Sequence, residues 1–247
     1  MKKIAAAALV LCAGTASAAE GELSLGIGFN YSVGDYGSGT DTEIVSVPVT
    51  ARYETERWVL KLAVPYISVS GDVTVVPGVG RVGTAATQTR TDSGPGDIVA
   101  SATYAAYFDR AARLGVDVTG KVKLATAEES RGLGTGETDI SLLVEPYKTF
   151  DRTTMFGSLG YHMLGAPLED VMSWSAGVTY RLNDRDSVGA AYDWREKVSS
   201  GAGDLSEVTL FWTRRLDRQW KLQAYVLKGF SNGSPDVGVG ASIAYAF

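Results

Sequence analysis

The sequence predicts an all-β chain: a transmembrane antiparallel β-barrel of twelve strands in up-and-down order. Three observations carry this. Apolar residues recur at every second position in segment after segment. The links alternate between short, charged turns and longer Gly- and Ser-rich loops, and the large aromatics gather near segment ends on the apolar phase. A two-residue period belongs to a strand between two unlike environments. Short turns at one end and longer loops at the other are the layout of a bacterial outer-membrane barrel.

The first segment, Leu23 to Val33, has every odd position apolar and every even one small or polar. Val45 to Tyr53 and Trp58 to Tyr66 repeat the pattern, followed by Ile98 to Phe108 and Leu114 to Leu124. The sixth segment, around Ile140 to Phe150, is less regular because Leu142, Leu143 and Val144 are consecutive. The next are Met155 to Met163, Met172 to Leu182, Val188 to Trp194, Val208 to Trp212 and Trp220 to Val226. Val237 to Phe247 closes the series in strict alternation up to a terminal aromatic. Short turns are expected at 54–57, 109–113, 151–154, 183–186 and 217–219. The longest of the long loops is 71–95, whose Val73-Thr74-Val75-Val76-Pro77 can fold into the mouth or extend a hairpin outside.

The opposite phase carries Arg52, Lys61, Asp97, Asp117, Lys121, Lys123, Asp139, Glu145, Arg181, Asp193, Arg195, Glu207 and Lys221. A charge facing lipid at mid-depth costs about 2–4 kcal/mol, so this face is read as the wall of a lumen. On the apolar phase, Tyr53, Trp58, Trp220, Tyr245 and Phe247 form a girdle at the short-turn edge, and Phe108 and Tyr180 are placed with them. Tyr31, Tyr66, Trp174 and Trp194 form the other girdle, with Tyr161. Amphipathic rings favour the two membrane interfaces. A soluble sandwich would bury its tryptophans in mid-strand.

The beginning of the chain gives the compartment. Lys2 and Lys3 precede an apolar run, Ile4 to Cys12, and Ala16-Ser17-Ala18 has the form of a secretory cleavage site. Residues 1–18 are read as a signal peptide and 19–247 as one barrel domain, exported to the outer membrane of a Gram-negative cell. Cleavage removes Cys12, the only cysteine, and leaves 21 basic against 28 acidic residues, a net charge of −7. No disulfide or thiol site is expected, and an acidic chain with no basic block excludes nucleic acid as a partner. The expected partners are outer-membrane lipids, a small-molecule solute and, through the last strand, the barrel assembly machinery, whose recognition signal this ending resembles.

Ser93-Gly94-Pro95-Gly96-Asp97-Ile98 resembles the S-G-x-G-D-hydrophobic motif of an outer-membrane transporter family tied to phenol-degradation pathways. Asp151-Arg152-Thr153 followed by Phe156 to Tyr161 is similar to that family's turn and next strand. The resemblance implies a transport channel for small aromatic or hydrophobic compounds. In physical terms, Gly94 and Gly96 ease a tight backbone path into the fourth strand. Asp97 then faces the lumen near its outer mouth, as a gate element or as a paired charge.

The function expected is passive passage of small solutes, without an enzyme activity, cofactor or metal. A closed structural or adhesive barrel is the alternative, because lumen charges of both signs can pair into a plug. A lipase-type barrel enzyme ranks behind both. The single histidine, His162, lies on the lumen phase, where a lipid-facing catalytic site would need the opposite one.

Overall fold

A computed structural model describes residues 21–82 and 89–247. The leader reading and Cys12 lie outside the described residues, as does the stretch 83–88 of the longest loop. Twelve long strands build the wall. The first six are β1 (Glu22–Gly34), β2 (Thr42–Glu54), β3 (Trp58–Asp72), β7 (Ile98–Asp109), β8 (Leu114–Leu124) and β9 (Asp139–Phe150). The rest are β10 (Thr153–Met163), β11 (Val171–Arg181), β12 (Asp186–Arg195), β13 (Leu205–Arg215), β14 (Trp220–Gly229) and β15 (Val237–Ala246). Each pairs antiparallel with its neighbours in sequence, and β1 pairs with β15 from Ser24↔Ala246 to Val33↔Val237. The Phe247 N–H donates to the Leu23 carbonyl at 2.9 Å, so closure continues to the last residue. Closure matters because an unpaired backbone group in hydrocarbon costs several kcal/mol.

Alternation sets the two faces as expected. Ile27, Phe29, Leu60, Leu62, Leu142, Met155, Leu159 and Leu210 are exposed on the outer surface. Among the described residues, exposed large hydrophobics far outnumber buried ones, the reverse of a water-soluble domain. No described helix is long and apolar enough to cross a membrane; the crossing is made by strands. Two segments depart from simple alternation. Leu143 points inward between outward Leu142 and Val144, which explains the three consecutive apolar residues in β9. In β7 a bulge between Ala105 and Tyr107 puts Tyr107 opposite outward Val116 and Phe108 opposite inward Gly115. The expected place of Phe108 in the lipid-facing girdle is therefore corrected. The extra residue shifts the phase of the strand end, and Tyr107 takes the outward position.

The short turns are held by their own polar side chains. Asp109 Oδ1 accepts the N–H groups of Ala111 and Ala112, Asn183 Oδ1 those of Arg185 and Asp186, and Asp217 Oδ1 those of Gln219 and Trp220. This is the Asx-turn chemistry that makes Asp and Asn frequent in turns.

The longest loop does both of the things left open by the sequence. Strand β3 runs on past the wall and pairs its outer half with β6 (Thr89–Pro95), from Tyr66↔Pro95 to Asp72↔Thr89. Between them, residues 73–82 turn inward as a small hairpin of β4 (Val75–Val76) and β5 (Gly80–Arg81).

Candidate functional site

The inward-turned segment occupies the long-loop mouth of the barrel. Val75, Val76 and Val79 are buried. Val75 joins Tyr36, Ile44, Ile67, Val69 and Leu133 in one apolar cluster. Val76 and Val79 join Val171 and Val198 in a second, across the mouth. Polar contacts fix the segment at its base and on the far wall. At the base, Asp72 Oδ1 accepts from the Thr74 N–H (2.7 Å) and hydroxyl (2.6 Å), and the Asp72 N–H donates to Thr42 Oγ1 at 3.0 Å. Arg81 Nη1 donates to the Gly37 carbonyl at 2.6 Å. Arg195 Nη2 of β12 donates to the Val79 carbonyl at 2.7 Å, and Ser199 Oγ of the loop after it donates to the Arg81 carbonyl at 3.3 Å. Gly71, at φ +149°, begins the inward turn where a Cβ would lie 2.5 Å from the Thr42 backbone.

Beside this segment lies a chamber of about 590 Å³. Its walls are mainly apolar, with Ile67, Val76, Val79 and Val171 among them, and its charged residues are Asp97, Lys121, Lys123, Asp139, Arg195 and Glu207. Half-buried His162 also faces it; its Nδ1 meets Ser141 Oγ and its Nε2 meets Ser173 Oγ, both at 2.8 Å. It is an interior hydrogen-bonding residue, as its phase indicated.

Lys121 and Arg195 line the chamber, and the other expected lumen charges sort into three groups. Near the mouth, Lys123 Nζ lies 2.7 Å from Asp139 Oδ2 and 3.5 Å from Asp97 Oδ2. Asp97 Oδ1 accepts from the backbone N–H groups of Thr126 (3.0 Å) and Ala127 (2.9 Å), so its role here is that of a paired structural charge. Two carboxylate pairs face each other across strands, Asp117 opposite Glu145 in the short-turn half of the wall and Asp193 opposite Glu207 toward its long-loop end. The Thr119 hydroxyl donates to Glu145. At the short-turn rim the charge is largely basic. Arg52 pairs with Glu54 at 2.6 Å and lies opposite Lys61. Arg181 and Lys221 share a recess with Arg185 and Arg215.

In the loop motif, the Ser93 carbonyl accepts from Arg131 Nη2 at 2.6 Å. A Cβ on Gly94 would lie 2.9 Å from the Leu133 side chain, and one on Gly96 would lie 2.3 Å from Ile67 Cδ1. Neither glycine has a positive φ, and both leave room for close packing of side chains from neighbouring elements. The aromatic girdles are present at both ends. Trp58 packs on Tyr104 at 4.8 Å, Trp220 on Tyr245 at 4.9 Å, and Tyr245 on Phe247 at 5.0 Å. Toward the long-loop end Trp174 packs on Tyr192 at 5.2 Å and lies opposite Trp194. Tyr66 is exposed on the same side, and Tyr31 and Tyr53 are half-buried on the outward phase.

Sequence reasoning missed the apolar seat of the inserted segment. The signal was present: Ile44 and Val171 are apolar at the outer ends of strands whose inward phase is otherwise largely small or polar, and Ile67 and Val69 carry the inward row of β3 to its outer end.

These features define an outer-membrane β-barrel of porin-like fold whose outer mouth is filled by its own second long loop. No protein-family model matches the chain, and no curated protein matches it by sequence. By structure it resembles the KdgM porin in complex with oligogalacturonate, with TM-score 0.56, 8% identity, and coverage of 90% of this chain and 99% of that one. It also resembles the NanC porin, with TM-score 0.54, 10% identity, and coverage of 90% and 98%. The translocator domain of the autotransporter NalP from Neisseria meningitidis aligns with TM-score 0.54 and 11% identity, over 94% of this chain and 90% of that one. At such identities the likeness is one of fold.

Proposed function

We propose that the protein is an outer-membrane channel for passive passage of small solutes, and that these include small aromatic or hydrophobic compounds. The observation that carries this reading is the mainly apolar chamber of about 590 Å³ inside a closed wall, beside a loop inserted from the mouth. Ligand sites have such volumes and such mixed linings, apolar with a few placed polar groups. The resemblance to phenol-pathway transporters at Ser93–Ile98 supports the same solute class. Two further readings belong with this one. The leader directs export and is removed near Ala19, and the ending at Tyr245 and Phe247 is read by the barrel assembly machinery.

Packing of Val75, Val76 and Val79 favours a second reading, a closed structural barrel. Planar-bilayer recording and liposome swelling with purified protein decide between them. Stepwise conductance and swelling by small solutes are expected. Absence of both would replace the channel by the structural barrel.

A further inference from the structure

Five adjacent strands, β8 to β12, place one polar belt along the chamber wall. Register sets Lys121 opposite Ser141, Ser141 opposite His162, and Ser173 opposite Arg195. The imidazole of His162 joins the two serines by hydrogen bonds. The belt has hydrogen-bond donors in excess. A neutral imidazole has one donor and one acceptor nitrogen, so one serine donates to it while the other accepts and keeps its own proton for another partner. At one end, Lys121 makes no hydrogen bond or ion pair among the described residues, although an ammonium carries three donors. At the other, Arg195 Nε is buried without a partner among the described residues, and Nη2 is committed to Val79. Of the charges lining the chamber, Lys123, Asp97 and Asp139 satisfy one another. That leaves two cations, Lys121 and Arg195, against one carboxylate, Glu207.

We propose that this belt binds the carboxylate of a singly charged organic acid between Lys121 and Arg195. The acid's apolar body then lies against Val76, Val79 and Val171. Charge-assisted hydrogen bonds are the strong ones, and among the described residues neither the Lys121 ammonium nor Arg195 Nε has an acceptor. Glu207, with Asp193 behind it on the neighbouring strand, faces the belt from the Arg195 side and disfavours a second negative charge on the solute. The inference deepens the channel reading and rests on it, by naming the solute that the chamber selects.

Equilibrium binding to the detergent-folded barrel, read by titration calorimetry, tests the site without reference to transport. Benzoate is expected to bind about tenfold or more tightly than benzyl alcohol, since a charge-assisted bond contributes roughly 1.5–3 kcal/mol. Phthalate is expected to bind more weakly than benzoate. Lys121→Gln should remove the preference for benzoate over benzyl alcohol, while Lys121→Arg should keep it. Equal binding of benzoate and benzyl alcohol to the unaltered protein would overturn the assignment, as would unchanged benzoate binding in Lys121→Gln. A barrel that binds benzoate yet shows no conductance would sink the channel reading alone. One that conducts but does not discriminate would sink this inference alone.

Discussion

Asp97 shows how a lumen carboxylate can hold structure. One oxygen caps two backbone N–H groups of the loop after β8, and the other faces the Lys123 ammonium. Removing a buried acceptor leaves its donors unsatisfied, at about 1–3 kcal/mol. Asp97→Ala is therefore expected to loosen residues 125–138, seen as faster limited proteolysis there, while Asp97→Asn should largely restore resistance. Cleavage as slow in Asp97→Ala as in the unaltered protein would show that the caps contribute little. The glycines of the wall have an equally local role. Gly189 and Gly240 lie under the rings of Phe211 and Tyr225, where an added Cβ would come within 2.3 Å or less of ring carbon. The alternation of small and large inward residues is how neighbouring strands share a confined interior.

If the barrel is a channel, the inserted segment 73–82 is the element expected to limit its permeability. Its contacts include valines in two apolar clusters, backbone carbonyls held by side chains of other elements, and the Arg81 side chain on the Gly37 carbonyl. Arg195 supplies a charged link from the far side of the mouth. Arg195→Gln shortens the reach to the Val79 carbonyl and removes the charge, so the segment should spend more time displaced. The expected result is a several-fold rise in mean single-channel conductance, since loss of one charged hydrogen bond of roughly 1.5–3 kcal/mol shifts a two-state equilibrium at least about tenfold. Conductance equal to that of the unaltered protein would mean that this segment does not limit passage.

At the scale of the whole molecule, stability in a bilayer depends on which face meets hydrocarbon. Spin labels at Trp174→Cys and Arg181→Cys in reconstituted vesicles should report oxygen-rich lipid at the first position and a water-soluble relaxer at the second. Identical environments would refute the proposed sidedness. Closure by β15 against β1 extends to the Phe247 N–H, and the terminal ring packs on Tyr245. Phe247→Ala keeps that backbone bond but loses the ring, so slower insertion into membranes is expected, with the finished barrel little altered in thermal stability. A fall in thermal stability at unchanged insertion rate would assign the ring to the fold instead.

Much of this architecture was legible in the sequence. The strand count, the two faces, the short-turn edge and the interior place of His162 follow from local period and composition. Each strand must satisfy lipid on one side and water on the other, whatever its neighbours do. The phase shift at Ala105–Tyr107 was not legible, because a bulge is defined only by the partner strand. Nor was the seat of the inserted segment or the use of Asp97. Arg195 and Val79 are 116 residues apart, and nothing in either stretch specifies the other. By itself the sequence determined a barrel and its sidedness, because alternation is a constraint that every residue carries locally. Tertiary structure alone decided that a loop segment occupies the outer mouth, and which charges of the chamber pair with one another, because those outcomes depend on distant side chains meeting inside one enclosed volume.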